Sequence, residues 1–260
     1  MADPMHQFQV QKIMDLPDFT LPVLGKVDWA ITNATVAMAI AFGLVVLFFT
    51  VSTARVAVVP GRMQVVGESI FGFIDDLAVS IIGHEGRKFF PYVFTLFTFI
   101  LAMNMLGLFL VFGPTAQLAV TATLGLMTIL LVIIVGLVKS GLSFFKLFMP
   151  SGVPWYLLIL VTPIEIISFA LRPFTLALRL FGNMLGGHVA MKVFAGFVVS
   201  LGALAAGGGL GLLGIPGAAL ALGSVVALTA LEFLVAFLQA FVFAVLACVY
   251  LNDAVHAGHH

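Results

Sequence analysis

Long runs without charge set the pattern of this chain. No Asp, Glu, Lys or Arg occurs between Asp28 and Arg55, between Lys88 and Lys139, or between Lys192 and Glu232. A helix crossing the hydrocarbon core needs about 20 apolar residues. The first gap therefore holds one span, over residues 31–53, and the second is long enough for two. Gly113-Pro114 is a strong turn signal and divides the second gap into spans over 90–112 and 117–138. Beyond the polar, Pro-containing break KSGLSFFKLFMPSGVPWY, a long helical stretch covers about 157–200. A Gly-rich connector over 201–218 follows, and a last helix covers about 219–251.

Between the first two spans, residues 55–88 show a different periodicity. Met63, Val66, Ile70, Phe73, Leu77 and Ile81 recur three or four apart, with Gln64, Glu68, Asp75 and Asp76 mostly opposite. That pattern predicts an amphipathic helix in the interface plane, or one packed on a partner. Residues 1–30 read as a polar extramembrane arm, and 31–260 as a single membrane domain containing a 90–138 hairpin and a 157–251 helix pair. The fold class expected is an all-α polytopic membrane protein with five membrane helices plus one interfacial helix. The last two helices are too long for a direct crossing. At 1.5 Å per residue, 157–200 would reach roughly 65 Å and the last helix about 50 Å, against a core about 30 Å thick. No proline interrupts 174–200, so the expectation is a steeply inclined antiparallel pair.

Composition agrees. Hydrophobic residues make up 62% of the chain and charged residues 8%, where a soluble domain carries about 25% charged residues. Mean hydropathy is +1.23. The formal net charge is zero, which gives no reason to expect a nucleic-acid partner. Cys248 is the single cysteine, so there is no intrachain disulfide, and no Cys/His cluster has metal-site spacing. Neither a metal nor a cofactor is expected. The start, MADPMHQFQV, lacks the basic segment and apolar run of a cleavable signal peptide, so the first span is expected to direct insertion. Arg55, Arg62, Arg87 and Lys88 fall in one loop and Lys139 and Lys146 in another. By the positive-inside rule both face the cytoplasm, the N-terminus lies outside and the C-terminus inside. His84 and Glu85 read as solvated loop residues.

Chemistry concentrates in the last two helices, which carry Glu165, Arg172, Arg179, His188, Lys192, Glu232 and Gln239, with Asp253 near the end. Ionisable groups inside a membrane are costly, from about 3 to above 10 kcal/mol for a central Arg, and functional by default. Glu165, Arg172 and Arg179 recur every seven residues and share a face; Thr175 and Asn183 lie four either side of Arg179 near that face. Lys192 can snorkel to the outer interface, and Arg172 and Lys146 can sit at the inner headgroups, leaving Arg179 as the deep charge. Pairing the helices antiparallel puts Arg179 opposite Gln239, His188 opposite Glu232 and Glu165 opposite Asp253, all within about two residues of one register. The result is a ladder of polar groups at three depths. His, Glu and Asp exchange protons near neutral pH when burial shifts them; Arg does not. Two half-routes for protons separated by a fixed cation are the reading this suggests. An ion pair of Arg179 with Glu165 is the bland alternative, although the two lie about 21 Å apart along the helix. Asn104, in FTFILAMNMLGLF, can cap a bend, bond across helices or line a channel.

At this point four segments, LALRLFGNM, LEFLVAFLQAFVFAVLACVYL, TPIEIISFALRPFTLALRL and FTFILAMNMLGL, together resemble the family of a subunits (subunit 6) in the membrane sector of F-type ATP synthases. The resemblance covers most of the chain from about 30 to 253; the arm and the connector match weakly. It implies that Arg179 is the essential arginine facing a rotating ring of c subunits, whose membrane carboxylate carries the proton. Asn183 and Gln239 match polar positions near that arginine. His188 and Glu232 match the imidazole/acid pair of an outer half-channel, in the order typical of mitochondria rather than of many bacteria. Glu165 and Thr175 match inner half-channel positions, the register adds Asp253 there, and Asn104, if it lines a channel, belongs to the outer route.

The function implied is proton translocation by a stator subunit, so that proton flow turns the ring and drives ATP synthesis. The chain would be the proton-channel part of a rotary enzyme. With no P-loop, it would leave nucleotide chemistry to partners. Those implied are the c-ring, b-type peripheral stalk subunits, the F1 ATPase sector and membrane lipid. The implied location is the bacterial inner membrane, or alternatively the mitochondrial one. A proton-coupled secondary transporter is the other class considered; such folds carry inverted repeats and paired broken helices, and the sequence has no second arginine motif. A structural subunit without transport leaves the deep Arg without a use.

Overall fold

The structure is a computed structural model that describes residues 11–15, 19–21, 25–27, 30–54, 57–109, 113–149, 154–207 and 214–256. Asp18, Asp28, Arg55 and the middle of the Gly-rich connector lie outside the described residues. Six helices follow in order: α1 Asn33–Thr53, α2 Arg62–Ile82, α3 Gly86–Phe109, α4 Leu118–Ser140, α5 Trp155–Ala206 and α6 Gly214–His256. Five stretches are long and apolar enough to cross a membrane, with α2 and α3 counted together as one. The fold is therefore all-α and polytopic. The arm adds four short strands, β1 Lys12–Asp15, β2 Phe19–Leu21, β3 Gly25–Val27 and β4 Ala30–Thr32. They pair as two antiparallel ribbons, β1 with β4 and β2 with β3.

Helix ends follow local chemistry. Gly83, with φ 80°, closes α2, and its N–H donates to the Val79 carbonyl; that left-handed backbone suits glycine. The Gly113-Pro114 signal becomes a short 3-10 turn over Pro114–Ala116, fully buried. α5 runs 52 residues without a break, through Pro163 and Pro173, and so exceeds the expected 157–200.

The described residues form two compact units. The first comprises those up to Ala41, with Met103–Gln117 and Phe181–Leu238. The second comprises Phe42–Ala102, Leu118–Leu180 and the residues from Gln239 onward. Within the first unit α5 and α6 run antiparallel: Thr229 Oγ1 donates to Met191 Sδ at 3.5 Å, and Gly214 lies against the Leu201 carbonyl. Within the second, Tyr92 Oη and Thr128 Oγ1 bond at 2.8 Å between α3 and α4. Gly125 of α4 approaches α5 so closely that a Cβ there would lie 2.7 Å from the Pro173 carbonyl oxygen.

The residues that α2 buries within the chain are not those of its apolar stripe, which is left available to lipid or a partner. Gln64, Gly67, Ile74, Ala78 and Ile82 are buried, while Met63, Val66 and Phe73 are 42–48% exposed. Ser52 Oγ of α1 donates to the Met63 carbonyl at 2.7 Å, and the Phe71 ring meets Phe90 of α3 at 4.5 Å. α2 thus meets α1 at Gly67, beside Ser52, and α3 through the Phe71 ring, and it buries Ile74, Ala78 and Ile82 while Met63 and Val66 stay outward. A small residue such as Gly67 lets the backbones approach.

Candidate functional site

The polar residues of the last two helices divide between the two units. In the first, the Glu232 carboxylate is 9% exposed and Asn104 is wholly buried. Asn104 Nδ2 donates to the Ala236 carbonyl at 3.0 Å, one turn beyond Glu232. Two acceptors, Asn104 Oδ1 and Glu232 Oε2, are buried with no hydrogen-bond partner among the described residues. Ala116, Met184 and Ala236 pack together in this unit, with Met105, Leu108 and Val235 against them.

Gly187, the neighbour of His188, abuts the Glu232 carboxylate; any side chain there would collide with Oε1. His188 is half-buried. A Cβ on Gly107 would lie 3.8 Å from its Nε2, and one on Gly113 would lie 3.5 Å away. The α3 end and the turn after it thus meet the imidazole with bare backbone. Asn183 is exposed on α5. A buried acid with an unmatched oxygen, close to an imidazole-bearing segment, suits proton uptake and release. Such an acceptor is costly to bury unless water or a proton satisfies it.

The second unit holds its charge differently. Arg172 Nη1 donates to Asp253 Oδ2 at 3.2 Å. Its guanidinium lies 5.1 Å from the centroid of the Phe169 ring and 4.7 Å from that of Tyr250. Asp253 therefore pairs with Arg172 and not with Glu165, as equal-depth register had suggested; the register counts backbone positions and ignores the reach of an arginine side chain. Glu165 is half-buried. Thr175 is exposed, and its Oγ1 donates back to the Arg172 carbonyl at 2.9 Å. Gln239 is buried, at 6% exposure.

Arg179 is exposed on α5 and makes no ion pair or hydrogen bond among the described residues. Its neighbours Leu178 and Phe174 are exposed apolar side chains, while Leu176, Ala177 and Leu180 turn inward. Of two arginines seven residues apart, one is neutralised within the chain and the other is presented outward. A fixed cation in an apolar setting is costly unless it is paired or reached by water.

The sequence profile described as ATP synthase A chain matches residues 35–252. The chain belongs to that family. It is similar to the ATP synthase subunit a of Hyphomonas neptunium, 53% identical over 259 residues, spanning 99% of this chain and 98% of that protein. It is also similar to the ATP synthase subunit a of Rhizobium johnstonii, 49% identical over all of this chain and 99% of that one. The same holds for that of Rhodopseudomonas palustris strain BisB18, 49% identical over the full length of both.

Membership of the ATP synthase A chain family makes this chain a component of a larger complex. Among the described residues no group of three His, Cys, Asp or Glu side chains could hold a metal. Sequence reasoning missed Phe169, Tyr250 and Gly187. For the two rings, no spacing rule links positions about 80 residues apart. For Gly187 a signal existed, a glycine pair immediately before His188, which marks close approach of another element.

Proposed function

We propose that this chain is the proton-translocating stator subunit of an F-type ATP synthase, seated in the bacterial inner membrane beside a ring of c subunits. Protons enter from outside past His188 and Glu232, with Asn104, Asn183 and Gln239 lining the approach, and load a ring carboxylate. After rotation the proton leaves past Thr175 and Glu165 towards the cytoplasm. Arg179 keeps the arriving carboxylate ionised and prevents direct leakage, because it cannot release a proton. One charge crossing the membrane releases about 2.3 kcal/mol per 100 mV, which is the work available to rotation. Peripheral stalk b subunits and the F1 sector complete the assembly, with the N-terminus outside and the C-terminus in the cytoplasm.

The observation that carries this reading is Arg179 itself, an exposed cation on an apolar helix with no ion pair or hydrogen bond among the described residues. Family membership and bacterial relatives support it. The test is Arg179→Ala in the assembled complex. Coupled ATP synthesis is expected to fall to background while c-ring and F1 still co-purify. Retained ATP-driven proton pumping in vesicles would overturn the assignment.

A further inference from the structure

We infer that Arg172 is a caged structural cation and that Asp253 is its fixed counter-ion, so that this pair positions α5 against α6 and carries no proton. The inference rests on the stator reading above and changes the part played by Asp253 within it. Three elements meet at this place in the second unit. Arg172 comes from α5, held between the Phe169 and Tyr250 rings. Asp253 and Tyr250 come from the last turns of α6. The third contributor is α4 with the 3-10 turn after it: Ser140 Oγ donates to the Ala254 carbonyl at 3.2 Å, and the Phe144 and Phe148 rings pack on Phe169 at 6.2 and 5.4 Å. Phe169 and Tyr250 are both buried.

The guanidinium is therefore satisfied on one side by a carboxylate and on two others by ring faces, which hold a cation through their quadrupoles. The Asp253 carboxylate is thus engaged by a cation that has no proton to exchange, and the pair serves as a cross-link between α5 and α6. Glu165, two turns earlier on the same face, has no such partner among the described residues. Arg179 stands two turns further along that face, and Tyr250 lies within electrostatic reach of both arginines. The clamp thus fixes the stretch of α5 that presents Arg179.

The experiment compares Asp253→Asn, Arg172→Gln and the double variant in membrane vesicles carrying the whole complex. Passive proton flux after removal of F1 and ATP-driven pumping are both read. Each single variant leaves one uncompensated charge and is expected to lose most of its flux. The double variant removes both and is expected to recover to within about twofold of the parent, the scatter expected once a charge pair is deleted whole. A proton carrier at position 253 predicts the opposite: the double variant stays as blocked as Asp253→Asn, and that result overturns the inference. If the single variants fail to assemble, assembly itself is the readout; the double variant assembling upholds the pair, and its failing overturns it. Arg179→Ala run in parallel separates the two readings, because normal coupling there removes the stator assignment whatever the pair does.

Discussion

Two acids on α6, Glu232 and Asp253, lie three helical heptads apart and live in opposite surroundings. Glu232, in the first unit, is buried with one oxygen unmatched and a glycine making room for the other. Asp253, in the second unit, is bound to Arg172 between aromatic rings. The first leaves one carboxyl oxygen without a partner among the described residues, and the second engages the carboxylate with a guanidinium. The same functional group thus sits in two different surroundings on one helix. What distinguishes them is the neighbouring element, not the residue type.

Substitutions can break this contrast. The largest effect is expected from Glu232→Gln, which should slow proton entry by about 100-fold or more, the scale of losing a positioned acid. Unlike Asp253→Asn, it has no partner whose removal restores flux; recovery by a change at Arg172 would erase the distinction. Next comes Gly125→Ala in the second unit. A Cβ there meets the Pro173 backbone, and overpacking costs about 1–3 kcal/mol. Thermal unfolding in detergent should register that loss, while proton flux per assembled complex stays near the parent's. Asn104→Leu should do the reverse: it removes one unmatched acceptor and one cross-helix bond, so stability shifts by less than about 1 kcal/mol while proton entry slows severalfold in a stopped-flow pH assay. The smallest change is expected from Tyr92→Phe, which deletes only the bond to Thr128, about 0.6 kcal/mol on average for such pairs. A flux defect there would show that the second unit is less purely structural than its packing suggests.

Much of the fold was legible because a membrane helix is written as an absence of charge. The expected spans at 31–53 and 117–138 match α1 and α4 to within a few residues, and the two long final helices follow from length alone. Which face each helix buries was not legible. In α1, Ala34, Ala37 and Ala41 are buried while Val36, Ile40 and Phe42 are exposed; in α6, Ala236, Ala240, Ala244 and Ala247 are buried while Leu231, Leu234 and Leu238 are exposed. Hydrophobicity marks the core only where the alternative is water. In lipid, small side chains are favoured where helices approach closely, and the apolar stripe of α2 therefore did not show which of its residues are buried within the chain. At the site, Arg179 was conspicuous as a lone motif charge. The Arg172 cage was not, because two of its four members, Phe169 and Tyr250, are ordinary aromatic residues until folding joins them.

The distance along the chain between Arg172 and Asp253 has a consequence for biogenesis. Asp253 is synthesised 81 residues after Arg172. At about 5–20 residues per second, the arginine waits roughly 4–16 s for its counter-ion. During that interval the ring clamp is also incomplete, because Tyr250 comes from the same final turns of α6. The Arg172 clamp is therefore among the last contacts that synthesis of this chain allows to form.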